Sequence, residues 1–477
     1  MSFLLAAGAL LRVLFLQTRS LWFDEASTLV LAGAPLAHLP TVVVTNEMNP
    51  PLYYALMHVW LKGFADPRFG LRAFSALCGI ASLLAFRPLA ERLLPRRARL
   101  LAFFFAAFSS YWLHAAQDGR VYACLLLVSI LCIRAVWALT EAPSPRRWAA
   151  YALLCALGLP LHYYFAFPLV AHAAWLGWRF RRSPRELRRW AAAHVVIALC
   201  FVPWIGHLLW QLRAHVRDLT VGDPLTPRHL ADSLGNMFFD VTFIGLALPT
   251  WLTPAIGACF AALAAASSAR SFSRRGEEDD RREQGFALFH LALPIALIAL
   301  AEFLVGRPLT NARYFIPLSP FAYLVAARTL SAPGRWAGSM RLAFEAVAVA
   351  GVIGYFASGR IVDSRLASLA AKIRSGSDSR MPVVFVQNFY YLPMRMYYMP
   401  ERADFLISEA AEAMDYAGIP PYNGLVDASR RRRLGPCVVV DIKRLLTPRP
   451  LWLGTGAQLA ELVDRAAVAD SSPTRWR

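Results

Sequence analysis

The sequence predicts a polytopic α-helical membrane protein with a small α/β domain at its C-terminal end. Three observations carry this. Of 477 residues, 57% are hydrophobic and the mean hydropathy is +0.42, beyond an ordinary globular chain. Apolar runs long enough to span a bilayer recur from the N-terminus to about residue 358. Short Arg-rich segments separate them, as expected of cytoplasmic loops. The net charge of +19 therefore reads as loop charge, and no nucleic-acid partner is expected. Of the seven cysteines, Cys78, Cys124, Cys132, Cys155, Cys200 and Cys259 lie in apolar runs and only Cys437 lies in the tail. They form neither a disulfide framework nor a zinc-binding spacing.

The elements follow in chain order. The first apolar run, Phe3 to Leu16, carries Arg12 and lacks a clear cleavage site, so it reads as a retained span over about 3–19. It exits at Asp24-Glu25, two carboxylates at a membrane boundary; a helix start with Asp24 as N-cap is the plainer use of such a pair. Residues 22–64 form an outer first loop, in which 52–64 is too short to span and reads as an interfacial helix. Spans follow at about 72–91, 98–114 and 121–139, then a pair turning near Pro160, where His162-Tyr163-Tyr164 opens the sixth. The seventh covers about 190–210 and leads into an outer loop with His215, Asp218, Asp223, Arg228 and His229. The eighth ends in the mixed-charge run Arg270 to Arg282, with Glu277-Glu278-Asp279-Asp280, a solvated loop. The ninth (about 285–305), a tenth ending near Arg328 and an eleventh ending near Gly359 complete the set. That divides the chain into a membrane domain, 1–358, and a tail, 359–477, where Val383-Val384-Phe385-Val386 and Cys437-Val438-Val439-Val440 read as short buried strands. Parity places the tail outside.

This map brings polar clusters to one face: Asp24-Glu25, Glu47 with Asn49-Pro50-Pro51, Gln117-Asp118-Gly119-Arg120, His162, and Arg307 with Arg313-Tyr314. A carboxylate can take a proton from an attacking hydroxyl, and an arginine can hold a phosphate through paired hydrogen bonds. Plainer roles exist for each. Arg120 can pair with Asp118 or a headgroup phosphate, Arg313 can anchor at the interface, and His162 suits a satisfied interfacial histidine better than a metal ligand.

Taken together, Trp22-Phe23-Asp24-Glu25-Ala26, Asn49-Pro50-Pro51-Leu52-Tyr53-Tyr54, Arg72-Ala73-Phe74-Ser75, Gln117-Asp118-Gly119-Arg120-Val121-Tyr122 and Arg313-Tyr314-Phe315-Ile316-Pro317 resemble the GT-C glycosyltransferases. Within them, the bacterial branch akin to protein O-mannosyltransferases and lipid A aminoarabinose transferases is most similar. The resemblance runs from about residue 12 to 330. It implies a polyprenyl-phosphate sugar donor, a glycan, lipid or protein acceptor, and an extracytoplasmic active site in a bacterial inner or plasma membrane. It places Asp24 and Asp118 as catalytic carboxylates. Glu25, Glu47, Asn49, Tyr53, Arg120, Tyr122, His162, Tyr163, Arg313 and Tyr314 become candidate substrate-binding residues. Relatives often carry His or Lys where this chain has Asn49, and some carry a metal-binding glutamate near Glu47. A divalent metal is therefore left open, with Glu47 and His162 as candidate ligands.

The function expected is inverting sugar transfer, with Asp24 as base and Arg120 and Arg313 stabilising the departing phosphate. The rival is a transporter or flippase of an anionic lipid-linked substrate. That class needs ionisable groups at mid-membrane depth or two similar halves, whereas these clusters sit at one end of the spans.

Overall fold

The computed structural model describes residues 1–19, 21–214, 224–240, 249–273, 278–306, 308–332, 337–376, 383–385, 394, 399, 405–407, 437–440 and 451–454. Arg307, Glu277, His215, Asp218, Asp223, Val386 and most of the tail lie outside them. Sixteen α-helices are described: α1 (Ser2–Val13), α2 (Phe23–Gly33), α3 (Leu39–Asn46), α4 (Leu52–Trp60), α5 (Pro67–Leu93), α6 (Arg96–Phe108), α7 (Ser110–Gln117), α8 (Tyr122–Glu141), α9 (Pro145–Leu161), α10 (Ala166–Phe180), α11 (Pro184–Ala214), α12 (Pro227–Asn236), α13 (Leu252–Ser273), α14 (Glu278–Val305), α15 (Ser319–Leu330) and α16 (Ala337–Gly376). The chain divides into two compact units: residues 1–16 with 47–359, and residues 17–46 with 360–477.

The first unit is a helical bundle. Among the described residues, α5, α8, α11, α14 and α16 contain stretches long and apolar enough to cross a membrane, and α1 and α13 contain shorter apolar stretches. Helix α11 exposes Val195, Val196, Leu199 and Val202, an apolar surface that a bilayer would cover.

Several expected spans differ from the sequence reading: the eleventh continues past Gly359 as α16 to Gly376, and the run expected as a loop from Arg270 to Arg282 is helical over 270–273 and 278–282. Two further differences shape the site. Helix α1 stops at Val13 rather than near residue 19. Phe15 takes a left-handed backbone, φ 61°, which an α-helix cannot continue through. The freed carbonyls are met from elsewhere: Gln117 Nε2 donates to the Leu11 and Leu14 oxygens, each at 2.8 Å, and Arg72 Nη1 donates to the Leu16 oxygen at 2.9 Å. The expected span 98–114 is broken into α6 and α7 at Ser109, whose extended backbone (ψ 121°) ends one helix and caps the next by accepting from the Trp112 N–H. Arg12, fully buried, donates to the last carbonyls of α6, Ala106 (3.0 Å) and Ala107 (3.2 Å). A cation suits the negative end of a helix. The Tyr323 hydroxyl donates to the Met237 oxygen at 2.6 Å, and Trp112 Nε1 donates to Ser319 Oγ at 2.7 Å. The break is thus tied to α15 and to the end of α12. Helix α7 lies close on α5: a Cβ at Gly79 would stand 2.4 Å from Ala116 Cβ.

The segment after Pro50-Pro51 forms the nine-residue helix α4 and a 3₁₀ turn, Leu61–Gly63, too short to span, as the sequence predicts.

In the second unit, α2 begins at Phe23 behind Trp22, which is the N-cap; Asp24 and Glu25 stand in the first turn. The expected N-cap is therefore displaced by two residues. Carboxylates in a first turn still gain from the helix dipole. The tail contributes β1 (Val383–Phe385), β2 (Phe405–Ile407), β3 (Cys437–Val440) and β4 (Leu451–Gly454). They form one sheet in the order β2-β1-β3-β4, parallel except for the β3–β4 pair. Two of these strands coincide with the apolar runs at 383 and 437.

Candidate active site

The site is built where α7 ends. Asp118 is the C-cap of α7, with extended backbone, and α8 starts at Tyr122. The short turn between them carries Arg120, which is buried, as is Asp118. Arg120 directs Nη1 and Nη2 to the same oxygen, Glu47 Oε2, each at 3.1 Å. The Tyr54 hydroxyl donates to that oxygen at 2.6 Å and lies 3.2 Å from Arg120 Nη1. The other oxygen, Glu47 Oε1, accepts from the Met48 N–H (2.9 Å) and from Asn49 Nδ2 (3.0 Å). Burial pushes the Glu47 carboxyl up, but Arg120, the Tyr54 hydroxyl and the Met48 N–H more than offset it and hold the group below the usual carboxylate range.

A second layer fixes the backbone of Glu47. Gln211 Nε2, at the end of α11, donates to the Glu47 carbonyl at 2.6 Å. The Tyr163 hydroxyl donates to Gln211 Oε1 at 2.5 Å and accepts from Trp204 Nε1 at 2.6 Å. Tyr163 therefore faces α11. Tyr53 is buried on α4, edge-on to Tyr54 and Phe74.

His162 caps the 3₁₀ turn Tyr163–Phe165: its Nδ1 accepts from the Tyr164 N–H at 3.2 Å. Its ring packs among those of Tyr122 (5.9 Å between centroids), Tyr164 (5.7 Å) and Tyr314 (5.1 Å). Burial, with Arg120 adding to it, holds the imidazole down to about 3, so it is neutral at pH 7. Tyr314 and Arg313 lie on the 3₁₀ helix Ala312–Leu318, which Asn311 caps through the Arg313 N–H. That helix is tethered at Ala312, whose oxygen accepts from the Tyr111 hydroxyl at 2.6 Å.

The structure thus joins Glu47, Asn49 and Arg120 in one hydrogen-bonded cluster, and His162, Tyr122 and Tyr314 in one aromatic cluster. Tyr163 reaches the first through Gln211. Asp24 and Glu25 belong to the other compact unit, where Thr28 Oγ1 donates to the Asp24 oxygen at 2.8 Å. Gln211 and Trp204 escaped the sequence reading. A glutamine at the end of a long apolar run was the available signal for the first; an interfacial tryptophan has none.

A divalent metal does not fit Glu47 and His162 as arranged. A carboxylate has about four acceptor positions, and Glu47 accepts five hydrogen bonds, two from a guanidinium. His162 Nδ1 faces an N–H donor, so its lone pair is engaged and the ring proton sits on Nε2. Among the described residues, no group of three or more His, Cys, Asp or Glu is placed to hold a metal.

Over 92% of both chains, the fold matches the crystal structure of ArnT from Cupriavidus metallidurans bound to undecaprenyl phosphate, with TM-score 0.58 and 13% identity. The apo structure of the same protein matches over the same share, with TM-score 0.55 and 14% identity. The chain has the GT-C fold. Within that GT-C fold, residues 48–210 match the family model described as dolichyl-phosphate-mannose-protein mannosyltransferase. The match starts one residue after Glu47 and ends one before Gln211, so it spans Asn49, Asp118, Arg120 and His162. No curated protein matches the sequence.

Proposed function

We infer that the chain is an integral-membrane glycosyltransferase that takes a sugar from a polyprenyl-phosphate donor and passes it to an acceptor hydroxyl. The observation that carries the reading is the Arg120–Glu47–Tyr54 cluster at the end of α7, of which Arg120 and Tyr54 lie within the stretch that the mannosyltransferase model matches and Glu47 one residue before it. A buried ion pair costs more to build than an apolar core of the same shape. Its position in a GT-C fold gives it a use. The bound lipid in the matched ArnT crystal structure is undecaprenyl phosphate, and the same class of lipid phosphate suits this chain.

In the mechanism, Asp24 is the base: it takes the proton of the acceptor hydroxyl as that oxygen attacks the anomeric carbon. The bond from that carbon to the phosphate oxygen breaks, polyprenyl phosphate leaves with the bonding pair, and the anomeric configuration inverts. Arg120 and Arg313 favour the charge that builds on the phosphate. Asp118, beside Arg120 in sequence, is the second carboxylate of the site. Tyr53, Tyr122, Tyr163 and Tyr314 line the substrate path, and Glu25 supports the start of α2. The site and the tail face the extracytoplasmic side of a bacterial inner membrane, a reading supported by the Arg-rich loops at the opposite ends of the spans.

The test is incubation of the purified protein with a panel of radiolabelled polyprenyl-phosphate sugars. Release of polyprenyl phosphate with transfer of at least one sugar is the expected outcome; transfer from none rejects the reading. Impermeant labelling of cysteines placed at Asp24, Asp118 and Arg313 from outside tests the face.

A further inference from the structure

His162 carries a hydrogen-bond donor that has no partner among the described residues. The residue is 2% exposed. Because Nδ1 accepts from the Tyr164 N–H, the neutral ring bears its proton on Nε2. Nε2 has no hydrogen-bond partner among the described residues. Burying a polar group without a partner is costly, and such groups call for an explanation. The expectation of a satisfied interfacial histidine is therefore not met at this nitrogen.

The surroundings narrow what the donor is for. Three tyrosine rings, Tyr122, Tyr164 and Tyr314, pack around the imidazole. They come from the start of α8, from the 162–164 turn itself and from the 3₁₀ helix that also carries Arg313. Arg120 and Glu47 both act electrostatically on His162. Yet both terminal nitrogens of Arg120 are committed to Glu47. That pair is net neutral, so a further N–H donor beside it adds to what Arg120 offers an incoming anion. A lone N–H in a water-poor place is worth most against a charged oxygen, because a hydrogen bond to an ionised acceptor is roughly twice as strong as a neutral one.

We propose that His162 Nε2–H is a donor to a phosphoryl oxygen of the lipid-linked substrate, making His162 a substrate-binding residue that supplements Arg120. This rests on the reading of the chain as a polyprenyl-phosphate-dependent transferase. No proton is transferred: the imidazole stays neutral and donates the same hydrogen to the phosphate in the bound and departing states.

Two substitutions separate the two ring nitrogens. Asparagine is a good helix cap, so His162→Asn keeps an acceptor for the Tyr164 N–H and loses the reach of Nε2. His162→Gln extends an amide N–H towards the Nε2 position. The probe is undecaprenyl phosphate, with no sugar attached, binding to protein in nanodiscs; inorganic phosphate is the competitor. Without lipid, His162→Asn is expected to melt with the wild type. With lipid, it is expected to bind at least about tenfold more weakly, the scale of one lost hydrogen bond to a charged group, while His162→Gln retains most of the affinity. Wild-type affinity in His162→Asn overturns the proposal. So does a clear loss of thermal stability in His162→Asn without lipid, which means that Nε2 has a structural partner. Displacement of the lipid by an equal concentration of inorganic phosphate assigns the donor to a free anion instead and overturns the lipid assignment. If the wild type itself does not bind undecaprenyl phosphate, the transferase reading falls first and His162 with it. The proposal alone fails when the wild type binds and the asparagine variant binds equally.

Discussion

Arg120 places both terminal guanidinium nitrogens 3.1 Å from one oxygen of Glu47, across 73 residues of sequence. The pair is almost wholly enclosed, with side-chain exposures of 6% and 12%. Removing one member of a buried pair strands the other charge, which costs about 3–5 kcal/mol. Glu47→Ala is therefore expected to lower the thermal midpoint sharply, and Arg120→Ala likewise. The double variant is expected to lose much less than the sum of the two, because it strands no charge. Additive losses in a double-mutant cycle on the detergent-solubilised protein would show that the two residues act separately.

The same pair sets a pH dependence, and His162 adds a second. Glu47 is held below the usual carboxylate range in the folded state. Its contribution is full above the unfolded value of about 4.3 and is lost as pH falls through the lower folded value. The folded His162 is held down to about 3, against about 6.5 when unfolded. From about pH 6.5 towards 3 the unfolded chain thus binds the extra proton, and stability falls with pH. The expected result is a thermal midpoint that declines from pH 7 to pH 4, with a visibly shallower decline in His162→Asn. Parallel curves for the two proteins would contradict the assignment of the neutral, buried imidazole.

Chelation bears on the Glu47 cluster. Its acceptor positions are filled by Arg120, Tyr54, Met48 and Asn49. Treatment with EDTA is expected to leave the thermal midpoint unchanged, and added Mg²⁺ or Mn²⁺ to leave it there. A midpoint that drops on chelation and returns with a divalent ion, in the wild type but not in Glu47→Gln, would return Glu47 to the metal ligands.

Gly79 tests how the site is positioned. A methyl group there meets Ala116 Cβ at 2.4 Å, so Gly79→Ala must push α7 away from α5. Overpacking of this kind costs about 1–3 kcal/mol. The Gln117–Arg120 turn should move with α7, and undecaprenyl phosphate binding should weaken. Adding Ala116→Gly to Gly79→Ala opens the space again and is expected to restore both readouts. If the double variant is no better than the single, the contact is not what holds α7.

These residues show how far the sequence could be read. Periodicity and hydropathy located the long helices, the short α4 behind Pro50-Pro51, and β1 and β3, because each depends on local pattern. The end of α1 was hidden: it depends on the Phe15 backbone and on caps from Arg72 and Gln117, which lie 56 residues or more away. The break at Ser109 had a local signal in the capping serine, overridden in the reading by the apolar run around it. Within the site, residue types were legible and pairings were not. Arg120 suggested a pairing with Asp118 or a headgroup phosphate; its hydrogen bonds to Glu47, brought in by the fold of the segment before α4, had no signal in the sequence. The orphaned Nε2 of His162 depends on which nitrogen the Tyr164 N–H occupies, which no sequence pattern states.

The central claim is transfer from a lipid-phosphate sugar with Asp24 as base. The measurement that tests it most directly is the initial rate of polyprenyl phosphate release against donor concentration, for the wild type and for Asp24→Asn, with folding of both checked by thermal midpoint. Loss of a general base costs about 100- to 10,000-fold in rate. The expected result is saturable release by the wild type and a fall of that size in a folded Asp24→Asn protein that still binds donor. Release at the wild-type rate by Asp24→Asn would contradict the account.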